Sequence, residues 1–349
     1  MIRNARLLTT KTPKQYDIII AGGGVAGCTL AKRLAEALSS STGIPHHKTI
    51  HIGLLSAGPP PPPLDGKNNP PNPRAYALSP SSLHTLGDDT VQCLKDCGRF
   101  GGVYDKMQIW ESDGPGVLHF TRDDLVGRDS LAASSGSGGE CCNEEYGLGA
   151  VVEDQALVSA LWKNLEKFQK GQIGDMRNCV RIDLITGATV NNINEPLTSG
   201  GNDLISITYK NKDESEDQVL HTKLLVGADG GNSFVRSSLG MPTVGFGYDR
   251  KAVICTVRLK DCDKVATAYQ RFFPNGPIAL LPTCDPMYAN IVWSTIPEES
   301  DRLVKCTSDE FVNKLNEALQ AGPALSPPLI DDEVSRSLPP LLNDAIRGL

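Results

Sequence analysis

Three glycines, at positions 22, 24 and 27, fit the pattern Gly-x-Gly-x-x-Gly within Gly22-Gly23-Gly24-Val25-Ala26-Gly27. Each would do separate work. Gly22 permits a tight turn, Gly24 lets a pyrophosphate approach the backbone, and Gly27 lets a following helix pack close to a sheet, its N-terminus facing the phosphate charge. The alternative is a glycine-rich turn with no ligand, and only the flanking elements separate the two.

Those flanks read as a βαβ opening. Tyr16–Ala21 (YDIIIA) is a short apolar run that stops at the glycines, as a buried parallel strand does. Val25–Leu38 predicts a helix with Leu30, Leu34 and Leu38 on one face, and Thr49–Leu55 a second strand. The usual companion of the glycines is an acid at the end of that strand, binding ribose hydroxyls. Here Ser56 stands in its place, and one hydroxyl holds only part of such a contact. Much later, Leu224–Gly227 predicts another buried strand, Asp229-Gly230 a turn, and Ser233–Leu239 a short helix. By itself an Asp-Gly after a strand is only a turn. Paired with a strand–glycine–helix it completes a two-part dinucleotide site.

That pairing resembles the FAD-dependent aromatic hydroxylases of the para-hydroxybenzoate hydroxylase superfamily, and within it the ubiquinone-biosynthesis ring monooxygenases. Three further stretches carry the likeness. Arg74-Ala75-Tyr76-Ala77-Leu78-Ser79-Pro80 resembles the family's arginine segment, which would bring Arg74 to the flavin or pyrophosphate. Val151-Val152-Glu153-Asp154 resembles a Val-Glu-Asn helix opening, with Asp154 replacing a neutral or basic contact. Gln270-Arg271-Phe272-Phe273-Pro274-Asn275-Gly276 through Pro282, followed by Val292-Trp293-Ser294-Thr295, is similar to the substrate-domain sheet of the mitochondrial ring hydroxylase.

The resemblance implies FAD as cofactor, held at Gly22, Gly24, Gly27, Ser56, Arg74, Asp154, Asp229 and Gly230. It implies a monooxygenase that hydroxylates a polyprenylated hydroxybenzoate, a phenolic ring attacked at C5, with ferredoxin and ferredoxin reductase as electron source. The setting implied is a ubiquinone-biosynthesis complex on the matrix side of the mitochondrial inner membrane, with peripheral membrane contact. No residue is nominated as a catalytic acid or base. The family's third fingerprint, a Gly-Asp before a proline- and glycine-rich turn and a long helix, does not occur before Leu349. The C-terminal part of the FAD domain is therefore expected to be missing after residue 349. Two rival readings are another FAD-dependent oxidoreductase and a catalytically incomplete fragment with a structural role.

The elements around these motifs predict an α/β fold. A three-layer, Rossmann-like FAD/NAD(P)-binding domain is expected over 14–95 and 146–245, and a mixed-sheet substrate domain over 246–340. Strands of that second domain are read from AVICTVRL, ATAYQRFF, PIALLP and ANIVWST. Glu153–Lys170 predicts a helix striped with Leu157, Leu161, Leu165 and Phe168. Thr307–Gln320 predicts another, opened by a Thr307/Glu310 capping box and stopped at Gly322. Pro59–Pro63 lie in a loop or polyproline segment, and Ala132–Cys142 in a Ser/Gly-rich loop.

Composition excludes some alternatives. A net charge of −7 over 349 residues speaks against a nucleic-acid partner. No stretch reaches the roughly 18 apolar residues of a membrane span. Ten cysteines, scattered apart from Cys93/Cys97 and Cys141-Cys142, are expected as reduced thiols. His46, His47 and His51 lack a cysteine or acid to complete a metal set. Residues 1–15 carry Arg3, Arg6, Lys11 and Lys14 and no acid, which reads as a mitochondrial targeting segment or else a basic tail.

Overall fold

The YDIIIA run forms β1 (Lys14–Ala21), the centre of a six-stranded sheet. The computed structural model describes residues 13–40, 49–64, 70–124, 146–169, 179–194, 204–212, 214, 216–261 and 267–320. Most of the targeting segment, His46 and His47, the Ala132–Cys142 loop and Gly322 lie outside the described residues. The chain divides into two units, residues 1–60 with 162–243 and residues 61–161 with 244–349.

In the first unit β1 pairs in parallel with β2 (Ile50–Leu55) on one side and with β11 (Gln218–Gly227) on the other. Beyond β2 lies β8 (Val180–Ile185), also parallel. β9 (Ala188–Asn194) and β10 (Ile205–Asn211) continue from β11 as an antiparallel meander, giving the order β8-β2-β1-β11-β10-β9. A core of Tyr16, Ile19, Leu55, Ala188, Ile207, Tyr209 and Leu220 ties the two kinds of strand together.

The predicted first helix is α1 (Val25–Ser40), but its leucines are not the residues it buries. Gly27, Ala31, Ala35 and Ser39 sit buried at i, i+4 spacing, while Leu30, Leu34 and Leu38 stay half-exposed. Small side chains let the helix approach the sheet where leucines would hold it off. β11 is longer than the expected four residues and less buried: Leu224 is 51% exposed.

The second unit contains a three-stranded sheet of β3 (Ala75–Leu78), β7 (Gly149–Glu153) and β4 (Val103–Tyr104), with helices α2 (Pro80–Leu86) and α3 (Asp88–Asp96). The predicted Glu153–Lys170 helix is α4 (Asp154–Gln169), with Leu157, Leu161, Leu165 and Phe168 buried.

The expected β region forms β12 (Lys251–Arg258), β13 (Thr267–Phe273), β14 (Gly276–Pro282) and β15 (Tyr288–Thr295), paired antiparallel. The sheet is larger than expected. β5 (Lys106–Glu111) joins it by parallel pairing with β13, and β6 (Val117–Thr121) forms its edge. The units divide after residues 60, 161 and 243, where the sequence reading set divisions after 95, before 146 and after 245. One face of the sheet, with Val253, Cys255, Val257, Ile278, Leu280 and Ile291, packs on α6 (Pro297–Lys305) and α7 (Ser308–Gln320). α7 opens as predicted: Thr307 N donates to Glu310 Oε2 at 3.0 Å and Glu310 N to Thr307 Oγ1 at 3.3 Å. The described cysteines are free, and no cluster of metal-ligating side chains occurs among the described residues. No described helix is long and apolar enough to cross a membrane.

Candidate functional site

The strand order puts a topological switch between β1 and β11, since β2 and β8 follow on one side and β11 on the other. Ligands of such sheets bind beyond the carboxyl ends of the strands at that switch. Both motif loops lie there: Gly22–Gly27 follows β1 and Ala228–Gly231 follows β11, with Ala21 and Gly227 register partners. Ala228 N donates to Ala21 O at 2.7 Å, and Gly22 N to Leu55 O at 2.8 Å.

The glycines divide into two kinds. Gly22 has φ +127°, and a methyl group placed on it would lie 2.0 Å from Ala228 O. One on Gly27 would lie 1.8 Å from Gly22 O, so the helix start touches the turn. Gly23 is packed against Ser56 and Trp162. Gly24 and Gly230, the latter at φ +90°, have nothing within 4 Å of where a Cβ would stand. Packed glycines let the chain cross itself, whereas open ones leave room for something else.

Two side chains that the motif does not reveal fix the first loop. Gly23 O accepts from Trp162 Nε1 at 3.1 Å and from the Cys28 thiol at 3.2 Å. Burial pushes the Cys28 thiol up to about 12, so it stays protonated and serves as a donor. Trp162 lies beside Leu161 in the apolar pattern of α4, but only its pairing with Gly23 marks it as part of a site.

Asp229 is turned toward its own helix. Its Oδ2 accepts from Phe234 N at 2.7 Å and Val235 N at 3.1 Å, and its Oδ1 from the Ser233 hydroxyl. Ser233 Oγ accepts in turn from Arg236 N at 3.0 Å, capping α5 (Phe234–Ser238). Replacing Asp229 with Ala removes a cap of the kind that contributes about 0.5–2 kcal/mol, and a fall in Tm of roughly 2–6 °C is expected. Asp229→Asn, which keeps acceptor capacity, should unfold near the wild-type temperature. Equal unfolding of the Ala variant and wild type in a thermal scan would refute the capping role.

Ser56 follows β2 at the same edge, where its N donates to Ile185 O at 2.8 Å and its hydroxyl reaches only Gly58 O, at 3.5 Å. In the second unit Arg74 and Asp154 meet as an ion pair, Arg74 Nε to Asp154 Oδ2 at 3.4 Å, with the arginine side chain 67% exposed. Tyr76 OH donates to Asp154 Oδ1 at 2.7 Å, and Asp154 N to Arg74 O at 2.9 Å. Burial, then the Asp154 carboxylate, raises the Tyr76 phenol above its ordinary value. Next to them Glu153 accepts from Arg99 Nη1 at 3.2 Å and Asn72 N at 2.8 Å, fastening β7 to its neighbours.

A sequence profile for the FAD binding domain matches residues 186–330. The ubiquinone biosynthesis monooxygenase COQ6, mitochondrial, of Xenopus tropicalis is 31% identical over 320 residues, covering 90% of this chain and 58% of that protein. Its Dictyostelium discoideum counterpart is 27% identical over 336 residues, covering 89% and 59%. The chain is similar to these monooxygenases over nine tenths of its own length. It spans less than two thirds of the length of these relatives. In fold it is similar to pqsL, a probable FAD-dependent monooxygenase from Pseudomonas aeruginosa, with TM-score 0.55 and 15% identity over 87% of this chain and 67% of that one.

The matched domain is one that binds FAD, and the switch-point edge fits that cofactor. Gly24 and Gly230 leave open backbone on both loops, where a pyrophosphate needs close approach. The departure is Ser56, which carries no charge toward a ribose. Ser56→Asp should restore a charge-assisted bond and tighten FAD about tenfold, or ~1.4 kcal/mol. Titration by flavin fluorescence checks this, and unchanged or weaker binding would mean that position 56 does not face the ribose.

Proposed function

We propose that this chain acts in an FAD-dependent monooxygenase that hydroxylates the aromatic ring of a polyprenyl-hydroxybenzoate at C5 during ubiquinone biosynthesis. The single observation that carries the reading is the pair of open glycines, Gly24 and Gly230, at the ends of adjacent parallel strands. Bound FAD supplies the redox chemistry that activates dioxygen. The protein's part is binding and positioning. Backbone N–H groups of the Gly22–Gly27 turn and the start of α1 receive the pyrophosphate, and the Asp229–Gly230 turn flanks it. In the second unit Arg74 carries an exposed guanidinium, aligned by Asp154. There the sheet face opposite α6 and α7 is covered at Thr256 and Asn290 by the Pro71–Asn72 backbone, and its half-buried Ala279 and Leu281 offer an uncharged wall for the phenolic ring.

The proposal extends to electron delivery by ferredoxin and ferredoxin reductase, and to a ubiquinone-biosynthesis complex on the matrix side of the mitochondrial inner membrane. A fusion of residues 1–20 to a fluorescent protein is expected to enter mitochondria, and diffuse cytosolic signal would remove that part. The reaction itself is tested with ¹⁸O₂, FAD, a reductant and a short-chain prenyl-hydroxybenzoate. One labelled oxygen in the ring supports it. Oxidised product without label points to another FAD-dependent oxidoreductase, and absence of flavin binding to a structural role.

A further inference from the structure

An apolar shelf occupies one edge of the six-stranded sheet in the second unit. Side chains along β5 alternate: Gln108 and Trp110 are each 2% exposed, on the helix-covered face, whereas Met107 and Ile109 point the other way and are only half-buried. On that second face the edge strand places Phe120 opposite Met107 and Leu118 opposite Ile109. β13 continues the face on its other side, setting Gln270 beside Ile109 and Phe272 beside Glu111. Leu118 is 56% exposed, Phe120 41% and Phe272 46%. Glu111 is the one charge in this group, and Gly116 N donates to its Oε1 at 2.9 Å in the β5–β6 turn, drawing the carboxylate into the hairpin.

Three large apolar side chains grouped in water, two of them on an edge strand, are a liability unless something covers them. We propose that the cover is the isoprenoid tail of the substrate, laid across β13, β5 and β6 over Phe272, Ile109, Met107, Leu118 and Phe120. This rests on the hydroxylase reading given above and adds where the tail binds. Three features select an isoprenoid chain. The shelf's polar groups are few, Gln270 and the Glu111 carboxylate held by Gly116 N, and an uncharged hydrocarbon asks for none. It is continuous with the face carrying Ala279 and Leu281, the wall proposed for the ring, so one extended ligand can span both. Neighbouring strands repeat at about 4.8 Å, close to the step of an extended isoprene unit, so each branched unit finds its own strand. Burying such a chain contributes roughly 25 cal/mol per Å² of apolar surface removed from water.

The test compares equilibrium binding of geranylgeraniol, 4-hydroxybenzoate and geranylgeranyl-4-hydroxybenzoate to the FAD-loaded protein. The variants are Leu118→Thr/Phe120→Thr and the apolar control Leu118→Met/Phe120→Leu. Both sites are exposed on an edge strand, where threonine is well tolerated. The threonine variant should bind the two prenylated probes at least tenfold more weakly and 4-hydroxybenzoate unchanged, while the control keeps wild-type affinity. Three results would overturn the proposal: equal prenyl binding by the threonine variant and wild type, shelf-dependent attachment to phosphatidylcholine vesicles without binding of monomeric geranylgeraniol, or a dimer that the threonine variant dissolves. Because prenyl binding needs no turnover, wild-type prenyl affinity in the threonine variant with ¹⁸O incorporation intact removes the shelf alone. Retained prenyl binding without ring hydroxylation removes the proposed reaction alone.

Discussion

Gly24→Val is expected to yield a folded protein that holds no flavin. Nothing lies within 4 Å of the space its side chain would enter, so the substitution meets no protein atom. It meets only the cofactor, whose pyrophosphate must come close to that backbone. A rise of at least a hundredfold in the FAD dissociation constant is expected, about 2.7 kcal/mol. Far-ultraviolet circular dichroism should remain that of wild type, and Tm without FAD should stay within a few degrees. A Gly24→Val protein that purifies yellow with stoichiometric flavin would show that the pyrophosphate lies elsewhere.

Gly27→Ala should fail in the opposite way. The added methyl would stand 1.8 Å from Gly22 O and 3.0 Å from Gly22 C, both backbone atoms of a turn already pinned by hydrogen bonding to Leu55. Neither side can yield without moving α1 off the sheet. Overpacking of this kind costs about 1–3 kcal/mol, and backbone against backbone puts Gly27 at the upper end. A fall in Tm of roughly 6–12 °C follows, present with or without FAD. Wild-type unfolding by Gly27→Ala would mean that the helix does not start against the Gly22 turn. Together the two variants separate the glycines that build the loop from the one that serves a ligand.

The division of labour among these glycines was legible from their places in the motif: Gly22 and Gly27 stand against backbone, and Gly24 is open. What the sequence conveyed well was local: the β1–turn–α1 opening, the Thr307/Glu310 box and the four antiparallel strands from residue 251 onward follow from short-range patterns. What it conveyed poorly depends on partners distant in the chain. KMQIWE and VLHFT become β5 and β6 because Thr267–Phe273 arrives beside them, and neither run announces that pairing. The leucines of α1 look like its buried stripe because hydrophobicity is legible, whereas the closeness of the sheet, which selects Ala31 and Ala35, is not. Asp229 was legible as a turn residue. Its three hydrogen bonds to the start of α5 needed coordinates. Gly23 and Trp162 were missed as a pair because their hydrogen bond joins residues 139 positions apart.

The register of β1 against β11 also sets an order of events during synthesis. Lys14–Ala21 leaves the ribosome early, but its neighbour Gln218–Gly227 and the Ala228 carbonyl that Gly22 crosses come some 200 residues later, ~10–40 s at ordinary translation rates. Until then the glycine turn has one of its walls missing and the nascent chain carries a bare YDIIIA strand. Holding that strand apart from other nascent chains is work for a chaperone. Flavin loading is consequently a late step, possible only after residue 230 has emerged.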